Sequence, residues 1–463
     1  MRRYSLALSL MAASLAATTG LGLPAMAVTG GPVSQIPAAW TPSLATSGTD
    51  GSVEQVRQLV PCGTTMYAVG LFSSLKQGTG TYARSNAFSF SATTGAVTGW
   101  NPVVKGQVNT VALSADCSTA YLGGAFSSVN GTPATNIAAV STTTGAVVRG
   151  FASSATAKVN TLVMAGSHLL VGGNFTAING STKRYMVSLS PTTGKDDGYV
   201  NLNISGKYVY TDQGGRPSGP NSTQAFNFAM SPDRRRLLVM GVFTSVGGQS
   251  RRQIFMLDLG TTSTAVDPWY SPEFNQNCYI SEAFWLRDAS WSPDGARVYI
   301  ATTGYKPATN LDPTVRTGYR TSEPRGGLCD VAAAFPSTSV STLTHSWVNY
   351  TGCDSLYSTA ADASTAYFGG HERWASNPLQ CDNNTSGTAV VAPGMVGLSP
   401  LNGSVTVNPT RGKGRGADDM VVTGAGLWIA SDNGWNTSDC GKTSTGGPSH
   451  GHAGICFLPY TTP

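Results

Sequence analysis

From Val108 the chain reads VNTVALSADCSTAYLGGAFSSVNGTPATNIAAVSTTTGAVVRGF, and from Val159 the pattern starts again with VNTLVMAGSHLLVGGNFTAINGSTKRYMVSLSPTTG. Each stretch contains three short apolar runs separated by Gly, Asn and Asp clusters, then a Thr-Thr-Gly turn that leads towards a fourth. Runs of this length, rich in β-branched and aromatic residues and bounded by turn formers, predict strands. Sustained helical periodicity is absent beyond residue 27. The same unit recurs with drift from about Ser52, Ser222, Glu282, Asp354 and Ala417. A repeat of this period marks a solenoid or a ring of blades.

The last unit has three apolar runs and then ends. The missing fourth is matched at the other end of the chain, where AAWTPSLATSGTDGSV around Trp40 parallels TGWNPVVKGQV around Trp100. A terminal strand that completes the last unit closes a ring and leaves only short, protected sheet edges. The expectation is an all-β, seven-bladed β-propeller over residues 28–463, with an N-terminal strand closing the last blade.

These motifs are Gly-Gly or Gly after the second run, Phe two residues later, an Asn-Gly loop, an apolar strand and Thr-Thr-Gly. Together they resemble the delta-60 repeat propellers, a family of exported bacterial proteins, with a kelch-like Gly-Gly. The likeness covers roughly Val53–Leu259, where Phe72, Phe126, Phe175 and Phe243 share one position. The family has no established catalytic set, so the resemblance implies fold and export alone.

Export is also suggested by the first residues. Arg2 and Arg3 precede an apolar, Ala-rich stretch, and Ala25-Met26-Ala27 fits a small-x-small cleavage site, so residues 1–27 read as a secretory signal peptide. The expected product is a secreted, extracellular monomer with no membrane insertion. Eight cysteines behind an export signal predict disulfides. Spacing does not determine connectivity. Pairing of neighbours is the expectation: Cys62–Cys117, Cys278–Cys329, Cys353–Cys381 and Cys440–Cys456.

Charge narrows the function. Charged residues are 11% of the sequence and the formal net charge is +5, of which the leader supplies two arginines. Nucleic-acid binding needs a clustered basic footprint. The one dense run, Arg234-Arg235-Arg236, reads as a solvated hairpin tip, so no nucleic-acid partner is expected.

Candidate chemistry gathers in three long insertions, 305–328, 371–393 and 432–451, which the repeat register places on one face. There His371, Glu372, Arg373 and Trp374 replace the usual small-x-Phe, and Asp432, Asn433, Trp435, His450 and His452 belong to the next unit. Indole rings beside polar groups suit a carbohydrate or a cell-surface partner. Packing of these loops on one another, with Arg373 paired to an acid, is the structural alternative. His450 and His452 with His371, plus Asp432 or Glu372, also suggest a transition metal such as zinc, copper or manganese. No other cofactor is expected.

Two further motifs bear on catalysis. Gly447-Pro448-Ser449-His450-Gly451 matches the nucleophile elbow, but a proline before the serine and a following strand exclude that geometry. Glu282, Arg287, Asp288, Asp418 and Asp419 begin innermost strands and are candidates to face a central channel. Acid–base work there would make the protein a secreted lyase or hydrolase. Satisfaction of backbone donors is the alternative role for these acids.

Overall fold

The computed structural model describes residues 30–45, 53–208, 210–211, 217–218, 222–276, 278, 284–304, 328–378, 389–409, 416–433, 440 and 452–461. Residues 1–27, Glu282, Cys381, Trp435 and His450 lie outside them. The described chain is all-β, and its one helical element is the 3₁₀ turn Pro272–Asn275.

One plan recurs along the chain. In sheet I the strands Gln55–Cys62, Thr65–Leu71 and Ala87–Ser91 pair antiparallel in sequence order. Sheet II repeats this with Val104–Leu113, Thr119–Val129 and Ile137–Ser141, and sheet III with Val159–Ala165, His168–Gly173 and Met186–Leu189. In each of these the fourth place is held by a single bridge, Phe90 to Val97, Val140 to Val147 and Leu189 to Asp196. Sheets IV, V and VI each have four full strands and begin with Gln224–Met230, Leu286–Trp291 and Leu356–Ala361. Sheet VII comprises Asp419–Thr423, Gly426–Ala430 and Ile455–Pro459.

The N-terminal segment adds to the free edge of sheet VII. Val33 bridges Tyr460, Ser34 N–H donates to Pro459 O at 2.7 Å, and Ala38 N–H donates to Phe457 O at 2.9 Å. Trp40 then packs on Trp428 and Phe457, with ring centroids 5.8 and 5.5 Å away. The segment expected as a fourth strand thus meets this edge through one bridge and two backbone hydrogen bonds, a few residues before Trp40.

Apolar surface is buried between successive sheets. Tyr67, Val69 and Trp100 of sheet I pack with Val111, Leu122 and Val140 of sheet II. On its other side sheet I packs against sheet VII, where Phe90 meets Trp428 at 5.5 Å. The repeated phenylalanines Phe72, Phe126, Phe175 and Phe243 are all buried, the last two completely.

The glycine pairs have a geometric cause. Every first strand except that of sheet VII carries a register shift, for example between Val56 and Gln58 in sheet I and between Val108 and Thr110 in sheet II. Opposite each bulge the second strand comes close to the displaced backbone. A Cβ at Gly70 or Gly124 would collide with the carbonyl oxygen of Gln55 or Gln107. Glycine alone allows that approach.

Three disulfides link Cys62 to Cys117, Cys278 to Cys329 and Cys440 to Cys456, as neighbour pairing predicted. Cys353 is disulfide-bonded as well. These bonds suit an oxidising compartment. No helix among the described residues is long and apolar enough to cross a membrane.

Replacing a repeated phenylalanine tests this packing. Phe243→Ala should lower unfolding free energy by about 3–5 kcal/mol in chemical denaturation. Leu71→Ala, at a side chain 37% exposed, should change it by about 0.5 kcal/mol or less. Equal effects at the two positions would contradict the described core.

Candidate functional site

Each first strand presents the same four-residue pattern, an apolar residue, a variable one, a polar one and a second residue of the strand. The copies are Val56-Arg57-Gln58-Leu59, Val108-Asn109-Thr110-Val111, Val159-Asn160-Thr161-Leu162, Ala225-Phe226-Asn227-Phe228, Leu286-Arg287-Asp288-Ala289, Leu356-Tyr357-Ser358-Thr359 and Ala417-Asp418-Asp419-Met420. In six copies the register shift falls at the variable residue. A bulge re-aims its side chain. The seven variable residues all line one cavity of about 990 Å³.

The polar residue that follows, or in sheet III the variable Asn160 itself, joins one sheet to the next. A first strand is an edge strand, so its outward N–H groups need partners. Gln58 Oε1 accepts from Val111 N–H at 2.7 Å, and Thr110 Oγ1 accepts from Leu162 N–H at 3.1 Å. Asn160 Nδ2 donates to Ala225 O at 3.0 Å, and Asn227 Nδ2 donates to Asp288 Oδ1 at 2.6 Å. Asp288 Oδ2 accepts from Thr359 N–H at 2.7 Å, and Ser358 Oγ donates to Ala417 O at 3.1 Å. Finally Asp419 Oδ2 accepts from Leu59 N–H at 2.9 Å, which returns to sheet I.

Of the acids and bases expected at a channel, Arg287, Asp288, Asp418 and Asp419 do line the cavity. Asp288 and Asp419 lie deep in the protein with a partly exposed edge on the cavity. Burial pushes Asp288 up to about 7, aided by the nearby charge of Asp419, while its hydrogen-bond donors oppose the rise. Burial likewise pushes Asp419 up to about 6. Both carboxyls are already committed to backbone donors.

The cavity is polar at the end where first strands begin and apolar where they finish. Arg287 lies over two rings, 6.0 Å from the centroid of Phe226 and 5.5 Å from that of Tyr357. Trp285 packs on Phe226 at 5.9 Å. Gln55 bridges two charged neighbours, with its amide donating to Asp418 at 3.1 Å and accepting from Arg57 Nη2 at 2.8 Å. At the far end the wall is Met230, Pro232, Trp291, Pro293 and Val422.

Some of the loop residues expected to form a separate site make contacts within the described fold. Arg373 makes a two-pronged pair with Asp354, Nε to Oδ2 at 2.7 Å and Nη2 to Oδ1 at 2.9 Å. This is the structural role weighed for it from sequence. His452 is buried with its Nδ1 2.8 Å from Thr41 Oγ1, which places it against the N-terminal segment. Asp432 is buried and bridges Gln55 through its backbone, and Asn433 N–H donates to Glu54 O at 3.0 Å. His371 and Trp374 are half-buried. Among the described residues no three His, Cys, Asp or Glu side chains are placed to hold a metal. Of the expected histidine set, His452 lies against Thr41, and His450 lies outside the described residues.

Glu372 occupies the slot of the repeated phenylalanine, two residues after Gly370 as Phe72 follows Gly70. It is completely buried, and neither carboxyl oxygen has a hydrogen-bond partner among the described residues. Burial raises its pKa well above the ordinary carboxylate range.

No family model matches the sequence, and no curated protein matches it. Among solved structures the chain is similar to the structure of U3-55K, with a TM-score of 0.47 and 8% identity, over 92% of this chain and 100% of that chain.

Two measurements test these assignments. Asp419→Asn keeps an acceptor for Leu59 N–H and removes the titration. A raised carboxyl favours the folded state below its ordinary pKa near 4, and that advantage is lost as pH rises through about 6. The melting temperature of the variant should therefore gain on the native protein between pH 4 and 7.5; parallel curves would refute the raised pKa. Glu372→Leu should raise unfolding free energy at pH 7.5 by about 1–3 kcal/mol, since it removes an unsatisfied buried polar group. A loss of stability would show that the carboxyl has a partner in solution.

Proposed function

We propose that this chain is an exported, seven-bladed β-propeller of the delta-60 repeat type that binds carbohydrate at the polar end of its central cavity. Support for the ring comes from the recurrent sheet plan, the N-terminal segment on sheet VII and the side-chain bonds running from sheet I round to Leu59. Support for export comes from the leader-like first residues and the disulfides.

The observation that carries the binding assignment is the set of side chains aimed inward by the bulges. Phe226 and Tyr357, with Trp285, offer apolar faces, and Asn109, Asn160, Arg57 and Arg287 offer hydrogen-bonding groups. Sugars present C–H faces and hydroxyl edges, and a concave wall of rings and amides matches both. Binding is preferred to hydrolysis or elimination because Asp288 and Asp419, the buried carboxyls of the cavity, hold neighbouring strands together.

A glycan array with the mature protein, followed by calorimetry on the best ligand, tests this reading. Tyr357→Ala and Phe226→Ala should each weaken affinity about tenfold or more, corresponding to about 1.4 kcal/mol, with the circular dichroism spectrum unchanged. Trp374→Ala should leave affinity unaltered. The reverse pattern would move the site to the loop face, and no glycan bound at any concentration would reject the carbohydrate assignment.

A further inference from the structure

Resting on the carbohydrate reading, we infer that the saccharide carries N-acetyl groups, and that an acetamido group is read by the arc of cavity wall from sheet II to sheet V. The observation lies one residue before each four-residue pattern. That position is Gln55, Gln107, Lys158, Gln224, Trp285, Ser355 and Gly416 in sheets I to VII. In sheets VI and I its side chain is engaged within the fold, Ser355 Oγ with Asp330 Oδ1 at 3.0 Å and Gln55 between Asp418 and Arg57. Sheet VII has glycine there. In sheets II to V the four residues Gln107, Lys158, Gln224 and Trp285 all line the cavity.

Backbone carbonyls fix which end of each amide stays open. Asn109 Nδ2 donates to Val159 O at 2.9 Å, so Asn109 Oδ1 is the end that accepts from Gln107 Nε2. Gln107 Oε1 is left as an acceptor with no partner among the described residues. Asn160 Nδ2 donates to Ala225 O at 3.0 Å and to Gln224 Oε1 at 3.1 Å. Asn160 Oδ1 therefore remains as a second acceptor and Gln224 Nε2 as a donor, neither with a partner among the described residues. Lys158 Nζ and Trp285 Nε1 are further donors in the same condition. At the end of the arc Trp285 packs on Phe226 at 5.9 Å and adds apolar surface.

An acetamido group needs all three of these features. Its N–H requires an acceptor, its C=O a donor and its methyl an apolar wall. In a trans amide the N–H and C=O point in opposite directions. The open acceptor Gln107 Oε1 and the open donor Gln224 Nε2 stand on sheets II and IV, either side of sheet III, which matches that opposition. A hydroxyl in the same place satisfies fewer of these groups, and polar groups left unpaired on binding reject the analogue that lacks their partner.

The experiment compares triacetylchitotriose with cellotriose by calorimetry on the native protein and two variants. The two trisaccharides share a β-linked backbone, carry no charge and differ at one ring carbon, which bears acetamido in the first and hydroxyl in the second. The native protein should prefer the acetylated trisaccharide by about tenfold or more. Gln224→Met keeps the side-chain length, removes the donor and should lower the preference several-fold. Lys158→Met alters an exposed residue outside the core and should lower it as well, even if the glutamine variant folds poorly. Equal affinity for the two ligands, a preference for cellotriose, or a native preference that both variants retain overturns this inference and leaves carbohydrate binding standing. Binding of neither trisaccharide while another array glycan binds has the same meaning. Absence of binding to every glycan overturns both readings.

Discussion

The bulge in each first strand is the constraint on which the rest of the structure depends. A regular strand would alternate its side chains between the two faces of the sheet. One extra residue breaks that alternation, so that consecutive side chains, such as Arg57 and Gln58, both reach the cavity side. The first differs from unit to unit, although Asn109 and Asn160 also donate to Val159 O and Ala225 O of the next sheet. The second is polar throughout, because the outward N–H groups of the next edge strand have to be satisfied inside the protein. Glycine opposite the bulge completes the device. The Gly-Gly motif and the ring of inward side chains are thus two consequences of one backbone irregularity.

This division separates scaffold from recognition within adjacent positions. Gln58, Thr110, Asn227, Asp288, Ser358 and Asp419 hold sheets together, so their chemistry is limited to donors and acceptors of suitable length. Arg57, Phe226, Arg287 and Tyr357 stand beside them on the cavity wall and differ in chemistry from unit to unit. Ligand preference can then change by substitution at the bulge while the belt is preserved. Buried carboxyls belong to the belt, and their upward pKa shifts follow from burial there, which is why perturbed titration is a poor guide to catalysis in this cavity.

Much of the architecture was legible in the sequence because it rests on local signals. Apolar runs, Thr-Thr-Gly turns and a shared phenylalanine marked strands and their order, and three of the four expected neighbouring cysteine pairs are bonded. Arg287, Asp288, Asp418 and Asp419 line the cavity, as residues near the start of first strands. The loop site was less legible. Rich chemistry in a long insertion suggested function, yet Arg373 is matched to Asp354 and His452 to Thr41, residues distant in sequence and invisible to a local reading. The ring of bulged residues carried a usable signal. Aligning the four-residue pattern across all units would have exposed it, but its variable position looks uninformative until the bulge is known.

Glu372 is where the repeat and the chemistry conflict most sharply. A phenylalanine in this slot fills the space under the loop, and four other units use it so. A carboxyl of smaller volume there loses apolar contact, and burial disfavours its charged form. Both effects oppose folding at neutral pH, so the local rule that governs the other units does not explain this residue. The adjacent Arg373–Asp354 pair offsets part of the loss by anchoring the same turn, with its main-chain N–H also donating to Asp354 at 3.1 Å. The unit that departs from the repeat in sequence is therefore held by a polar clasp where its relatives use an aromatic plug.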